Sequence, residues 1–152
     1  MKKLLALLGA TLPSLAHADW KSLDSHDQFN GAENHSITTH DGRSFLAIAC
    51  STLLNGDATV IVSTPWVLSG GHVLASIDGH QTNDSQLTTW EEAKSHKALM
   101  SMAAQDIISR IIDAKTFAIR LTDFPGETHT ITFNVTGLRD ALEQLKPHCR
   151  GL

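Results

Sequence analysis

The chain has 152 residues, with 12 Lys and Arg against 16 Asp and Glu, which gives a formal net charge of −4. This length accommodates one domain, and the negative balance argues against a general nucleic-acid binder, which needs excess Lys and Arg to neutralise phosphates. Because 41% of the residues are hydrophobic and only 18% are charged, the chain can bury a core, which excludes intrinsic disorder. We therefore expect one folded domain with no nucleic-acid partner.

The N-terminus has the pattern of a bacterial signal peptide. Two lysines follow Met1, and the apolar run Leu4–Leu12 is far shorter than the ~20 residues that span a bilayer. Pro13 ends this run, and Ala16-His17-Ala18 has the small-x-small form that signal peptidase accepts. We predict cleavage after Ala18. Residues 1–18 would then be removed, and residues 19–152 would form a single periplasmic α+β domain without a transmembrane segment.

The chain contains two cysteines, Cys50 and Cys149. In an oxidising compartment two lone cysteines most simply form one disulfide. It would close a loop of about a hundred residues, for which the chain-entropy model gives ~4–5 kcal/mol. The competing hypothesis is a reactive or metal-binding thiol pair, but metal sites usually draw on closely spaced pairs such as CxxC. We therefore predict a disulfide that ties the first core strand to the C-terminus.

The N-terminal part of the chain predicts mainly β-structure. Residues 19–34 are polar and weakly patterned, which indicates an irregular arm. Alternation and β-branched residues predict strands over 35–40, 43–51, 58–63 and 72–78, with Asp41-Gly42 as a hairpin turn. The strand over 43–51 has apolar residues on both faces, which is typical of a central strand. Residues 79–84 are expected to be a polar loop and residues 86–90 a short strand.

The pattern changes to a helical period further along the chain. Ser95 is the expected N-cap of a helix that ends near Asp113 and carries an apolar stripe at Met100, Ala103, Ala104, Ile107 and Ile111. Residues 116–124 and 128–135 then predict a hairpin with Pro125-Gly126 at the centre of a type II turn. Thr136 is the expected cap of a last helix, which Pro147 ends. The predicted fold is thus one α+β domain with an antiparallel sheet of about six or seven strands, two packed α-helices and one disulfide.

No segment of the sequence carries a complete catalytic motif. The stretch Trp66–His72 is similar to the region around the catalytic histidine of trypsin-like proteases, but no GDSGG or GxSxG follows it. The adjacent Glu91 and Glu92 lack the opposed placement that acid–base catalysis needs. The chain has nine histidines, without HExxH or an i,i+4 pair on a predicted helix. We therefore predict a non-enzymatic protein with no cofactor and no designed metal site; a chance contact of Zn²⁺ or Ni²⁺ with the histidines is left open.

Two surfaces are candidate binding sites for a protein partner. The predicted C-terminal hairpin commits one face to the core and leaves a polar face with Arg120, Thr122, Thr130, Thr132 and Asn134. A flat, Thr-rich face with one arginine suits a protein or glycan partner, although an ordinary solvated sheet face has the same composition. The second candidate is the loop between Asp78 and Asp84, with His80 and Asn83, which is the kind of loop that an inhibitor presents.

Several landmarks occur together and in order along the chain. They are Leu46–Cys50, Val73–Gly79, Trp90, an amphipathic helix, Phe117–Arg120 and Phe133–Leu142, closing on Cys149. This set resembles the VasI/TagO group of type VI secretion-associated periplasmic proteins, and the last segment is also similar to the invasion-associated locus B proteins. The chain departs from the group at Ser76, where an arginine is expected, and at Arg150–Leu152, where an aromatic residue often follows the last cysteine.

The resemblance implies a non-enzymatic periplasmic accessory or adaptor protein of a cell-envelope or secretion assembly, acting through protein–protein contacts. It supplies no catalytic residues. An alternative function fits a small, acidic, disulfide-bonded exported domain equally well: a periplasmic inhibitor or immunity protein that blocks a toxin or a cell-wall hydrolase.

Overall fold

The structure is a computed structural model that describes residues 18–152, except for the side chain of Gln86. The predicted signal peptide, apart from Ala18, lies outside the described residues. Within these residues, ten strands form two antiparallel sheets. Three α-helices accompany them: α1 (Ser85–Thr88), α2 (Ala104–Ile111) and α3 (Leu138–Leu142). None of the described helices has the length and apolar character needed to cross a membrane.

The larger sheet has six strands in the spatial order β1-β2-β3-β4-β8-β7. Their bounds are β1 Lys21–His26, β2 Glu33–Asp41, β3 Ser44–Ser51, β4 Ala58–Ser63, β7 Glu91–Glu92 and β8 Ala98–Ser101. Strand β3 lies between β2 and β4, as its two apolar faces predict. Leu46, Ile48 and Cys50 are buried on one face, and Ala47 is buried on the other.

The smaller sheet has four strands in the order β10-β9-β5-β6. Their bounds are β5 Leu74–Ile77, β6 His80–Thr82, β9 Thr116–Thr122 and β10 Thr128–Asn134. In the β9–β10 pair Phe117 lies opposite Phe133 and Ile119 lies opposite Ile131, and all four side chains are buried. The predicted hairpin and its alternation are therefore confirmed.

One hydrophobic core joins the two sheets and the two longer helices. The larger sheet contributes Ile37, Leu46, Ile48, Val60, Val62 and Leu99; α2 and α3 contribute Ile107, Ile111, Leu138 and Leu142. Burying one such large aliphatic side chain contributes about 1.5–3 kcal/mol. The fold class predicted from sequence, antiparallel α+β with one disulfide, is confirmed, with the strands divided between two sheets.

The disulfide between Cys50 and Cys149 is present and spans 99 residues of chain. Both cysteines are buried beside the core. The segment after Cys149 continues the attachment, because the Arg150 N–H donates to the Gly56 carbonyl at 2.7 Å and Arg150 forms a bridge with Asp57. The C-terminus is thus fixed to β3 and to the turn before β4.

The prediction of an irregular arm over residues 19–34 is wrong. Lys21–His26 forms β1, which pairs with β2 from Lys21 opposite Thr38 to His26 opposite Glu33. All six residues of β1 are exposed. An edge strand of this kind buries no face, so its sequence carries no alternating apolar signal.

Residues 78–90 also differ from the predicted loop and strand. Asp78 and Gly79 both have positive φ, 50° and 81°, and form a two-residue hairpin turn that makes part of the expected loop into β6. The expected strand over 86–90 is instead the single-turn helix α1. The backbone carbonyl of Asp84, the residue before α1, accepts from the N–H groups of Leu87 and Thr88.

The predicted helix from Ser95 begins nine residues later, at Ala104. Residues 98–101 form β8, in which Leu99 lies opposite Val62 and is fully buried. One cap and one turn also differ. Helix α3 begins after Gly137, at φ 81°, rather than being capped by Thr136. The hydrogen bond from Gly126 N–H to the Asp123 carbonyl places Phe124 and Pro125, not Pro125 and Gly126, at the centre of the turn.

The alternation along β9 predicts opposite outcomes for two neighbouring substitutions. Ile119→Ala removes a fully buried side chain and should cost about 2–5 kcal/mol of unfolding free energy. Arg120→Ala removes an exposed side chain and should change it by no more than about 0.5 kcal/mol. Urea unfolding of both variants measures the difference. A large loss of stability in Arg120→Ala would show that the face assignment is incorrect.

Candidate functional site

The outer face of the four-stranded sheet carries most of the residues predicted to bind a partner. Arg120 lies opposite Thr130 on one side and opposite Leu74 on the other, so the three side chains form a row across the sheet. Arg120 and Thr130 are exposed, and Leu74 is 48% exposed. Thr122, opposite Thr128, continues the face toward the hairpin turn. We call this surface, made by the outward residues of β5, β6, β9 and β10, the hairpin face.

The next row of the hairpin face is built from short side chains. Ser76 lies opposite Gln81 on one side and Ala118 on the other, and Ala118 lies opposite Thr132. Because serine and alanine are small, the surface here is a shallow depression of about 200 Å³ between Leu74, Gln81 and Arg120. A partner side chain can therefore be received beside the guanidinium group.

The guanidinium of Arg120 is held by a neutral group. Its Nε donates to the Thr130 hydroxyl at 3.1 Å. Two other arginines of the described chain pair with carboxylates instead, Arg110 with Asp84 and Arg139 with Asp113. Among residues 18–152, no carboxylate forms an ion pair with Arg120. Its positive charge is thus oriented but not neutralised within the described part of the chain.

Asn134 and Thr132 also connect the hairpin to the rest of the fold. The Asn134 side chain accepts from the Thr136 N–H at 3.0 Å. The backbone carbonyl of Asn134 accepts from the Thr39 hydroxyl. The Thr132 N–H donates to the Asp41 carboxylate at 3.0 Å. Asn134 is half-buried at one end of the face, whereas the Thr132 side chain is exposed.

His80 belongs to the same sheet as the hairpin face but not to its outer surface, and Asn83 lies outside the strands. His80 lies opposite Ile77, so its side chain is on the opposite side of the sheet from Gln81, and Asn83 is exposed just beyond β6. The residue that this segment adds to the hairpin face is Gln81, which the sequence analysis missed together with Leu74. The Asp78-Gly79 dipeptide, a hairpin-turn signal, could have identified Gln81.

Asp78 fixes the β5–β6 hairpin to the start of β9. One of its carboxylate oxygens accepts from the N–H groups of Lys115 and Thr116, each at 2.8 Å. These hydrogen bonds, led by that of Thr116, lower the pKa of Asp78 below its ordinary value of 3.8. The ionised carboxylate therefore reinforces the pairing of β5 with β9 at the start of β9.

A second cluster lies at the turn of the β9–β10 hairpin. The buried Asp123 accepts from the N–H groups of Gly126 and Glu127 at 3.2 and 2.7 Å, and its other oxygen is 2.8 Å from Nε2 of His129. The Trp66 ring stacks on His129 with the centroids 3.9 Å apart. The hydrogen bond with His129, and then those of the turn, lower the pKa of Asp123. No sequence motif marks this cluster, because Trp66 is far from Asp123 and His129 along the chain.

No protein-family model matches this chain, and the searches found no similar curated protein and no similar solved structure. The candidate sites therefore rest on the residues and geometry described above.

The Asp78 carboxylate predicts a specific pH dependence. Because its pKa is lowered in the folded state, its ionised form contributes stability above pH 3.8, the unfolded value, and this contribution is lost as pH falls through the lower folded value. Asp78→Asn should therefore unfold more easily than the parent protein at neutral pH, and the difference should shrink as the pH is lowered below about 4. Thermal unfolding between pH 2 and 7 measures this.

The matched control for Asp78→Asn is Glu91→Gln, which neutralises an exposed carboxylate at a sheet edge. We expect this control to leave the pH dependence of the parent protein nearly unchanged. A difference between Asp78→Asn and the parent that stays constant down to pH 2 would contradict the assigned role of the carboxylate.

Proposed function

We propose that the protein is a non-enzymatic periplasmic accessory or adaptor protein of a cell-envelope or secretion assembly, and that it binds a protein partner through the hairpin face. The observation that carries this proposal is the oriented, un-neutralised Arg120 beside the exposed Leu74 and the depression over Ser76 and Ala118. These features combine one charge, one apolar anchor and a concave floor on a single face.

The contact that Arg120 would make follows from its hydrogen bond. Since Nε donates to Thr130, the terminal guanidinium nitrogens are left to bind a carboxylate, an interaction that is shorter and stronger than a neutral hydrogen bond. The surrounding threonines are β-branched and have few rotamers, so ordering them on binding costs little entropy. We therefore expect an acidic residue of the partner at this position.

A location outside the cytoplasm is supported by the structure and by the sequence. A disulfide indicates an oxidising, extracytoplasmic environment, and the Cys50–Cys149 bond is present. The signal-peptide pattern of residues 1–18 and the resemblance to the VasI/TagO group support the periplasm and a secretion assembly as the finer proposal.

Affinity capture from a native periplasm, quantified by mass spectrometry, tests the proposed interface. Arg120→Ala combined with Thr132→Ala should reduce recovery of the bound partner. A lost charge-assisted hydrogen bond of about 1.5–3 kcal/mol corresponds to an affinity about 10–100-fold weaker. The control is Arg139→Ala, which removes an exposed arginine from α3 that already pairs with Asp113.

Equal recovery by the parent and the double variant would eliminate the hairpin face as the interface. The control variant should capture the partner as the parent does, because Arg139 lies on a different element. A loss of capture in both variants would indicate a general charge effect rather than a specific contact and would also contradict the proposal.

The alternative function, an inhibitor or immunity protein, is favoured by one observation. Phe124 at the hairpin turn is 75% exposed, and the adjacent Val67, whose carbonyl accepts from the Phe124 N–H, is 45% exposed. The Asp123 carboxylate holds this turn, so an apolar tip is presented in a fixed shape, as a loop that enters an enzyme cleft requires. Loss of capture in Phe124→Ala, with retention in the Arg120 variant, would favour this function.

A further inference from the structure

The turn of the β9–β10 hairpin brings three potential metal ligands together. One ligand atom each from Asp123, Glu127 and His129 lies within 4.8 Å of the other two. We propose that these three residues bind a divalent transition-metal ion, with Zn²⁺ as the representative ion. This site is separate from the hairpin face and does not depend on the function proposed for that face.

The distances at the turn suit a shared ion. Two ligands that each lie about 2.0–2.1 Å from Zn²⁺ in a tetrahedral site are about 3.3 Å apart. Oδ2 of Asp123 and Nε2 of His129 are 2.8 Å apart, so a shift of about half an ångström would admit the ion between them. Glu127 is exposed, so its side chain has room to turn toward the same point.

Two of the ligands are oriented by the surrounding structure. One oxygen of Asp123 is occupied by the N–H groups of Gly126 and Glu127, which leaves the other oxygen directed at His129. The ring plane of His129 is set by stacking on Trp66, with an angle of 10° between the two rings. Contacts of this kind, made behind the ligands, normally raise metal affinity because they fix ligand direction before the ion binds.

The ligand set determines the class of ion. One imidazole nitrogen with two carboxylate oxygens suits Zn²⁺ and its neighbours, whereas Mg²⁺ and Ca²⁺ prefer oxygen ligands alone. The ion binds Nε2 in place of the proton shared with Asp123, and the bound imidazole carries its single proton on Nδ1. A neutral ring that holds its proton on Nε2 must therefore transfer it to Nδ1 through solvent when the ion binds. An imidazole that is protonated beforehand releases one proton to solvent.

Two other histidines of the described residues also have carboxylate neighbours, but neither meets two carboxylates at a single point. His35 directs Nδ1 at Asp24 and Nε2 toward Glu33, so its two carboxylates lie on opposite sides of the ring. His96 faces one carboxylate, that of Glu92. Within residues 18–152, three such ligand atoms meet only at Asp123, Glu127 and His129.

Calorimetric titration of the disulfide-bonded, chelator-treated protein with Zn²⁺ tests the site. We expect one ion per chain in the parent protein. Glu127→Gln keeps the backbone hydrogen bond to Asp123 and should weaken binding at least about tenfold. His129→Phe keeps an aromatic ring on Trp66 and should also lose the ion. The control, His96→Phe with Glu92→Gln, removes the other histidine–carboxylate pair and should bind as the parent does.

Tryptophan fluorescence gives a second readout at the same site. Ni²⁺ bound to His129 should quench the emission of the stacked Trp66. Glu127→Gln should shift this quenching to a Ni²⁺ concentration at least about tenfold higher, and Trp66→Phe should abolish it. The proposal is overturned if Zn²⁺ shows no saturable binding at millimolar concentration, or if the isotherm is unchanged in both ligand variants. It is also overturned if the control variant loses the ion, since binding would then reflect surface histidine contacts only.

Discussion

The pairing register of β9 with β10 is the constraint on which the rest of the structure depends. Side chains of paired strands alternate strictly between two faces, so a shift by one residue would exchange them all. In the observed register, Phe117, Ile119 and their partners on β10 face the core, while Arg120 and Thr130 face outward. The apolar residues therefore fix which polar residues are available to a partner.

Three aspartates hold this hairpin in place by accepting backbone N–H groups. Asp41, the last residue of β2, accepts from the edge of β10 at Thr132; Asp78 accepts from the start of β9; and Asp123 accepts within the turn that joins the two strands. Each carboxylate adds a charge-assisted hydrogen bond to the backbone at the margin of the hairpin. The hairpin face and the metal-ligand cluster are thus carried by a segment anchored at several points along its length.

The sequence predicts the parts of the fold that have strong local patterns. Alternation over 116–135 predicts β9 and β10, and two lone cysteines that follow a signal-peptide pattern predict the disulfide. Strand β1 could not be predicted, because all six of its residues are exposed. The boundary of α2 was misplaced because Met100 fits a helical stripe as well as a strand, and only the pairing of β8 with β4 decides between them.

The candidate sites were predictable to different degrees. The side chains of Arg120 and Thr130 follow from alternation alone, and the structure places them side by side. Leu74 and Gln81 join them only because β5 and β6 pair beside β9, which is a long-range contact that a local pattern does not carry. The same holds for Trp66, whose stacking on His129 depends on the packing of a distant loop.

Site-specific photo-cross-linking in the living cell tests the central claim most directly. A photoreactive residue replaces Thr130 or Thr132 on the hairpin face, or Ser22 or Ser25 of β1, which are likewise exposed, as matched positions. We expect a discrete adduct with a partner protein from the first two positions and none from the other two. Adducts from Ser22 or Ser25, with none from Thr130 and Thr132, would contradict the assignment of the interface to the hairpin face.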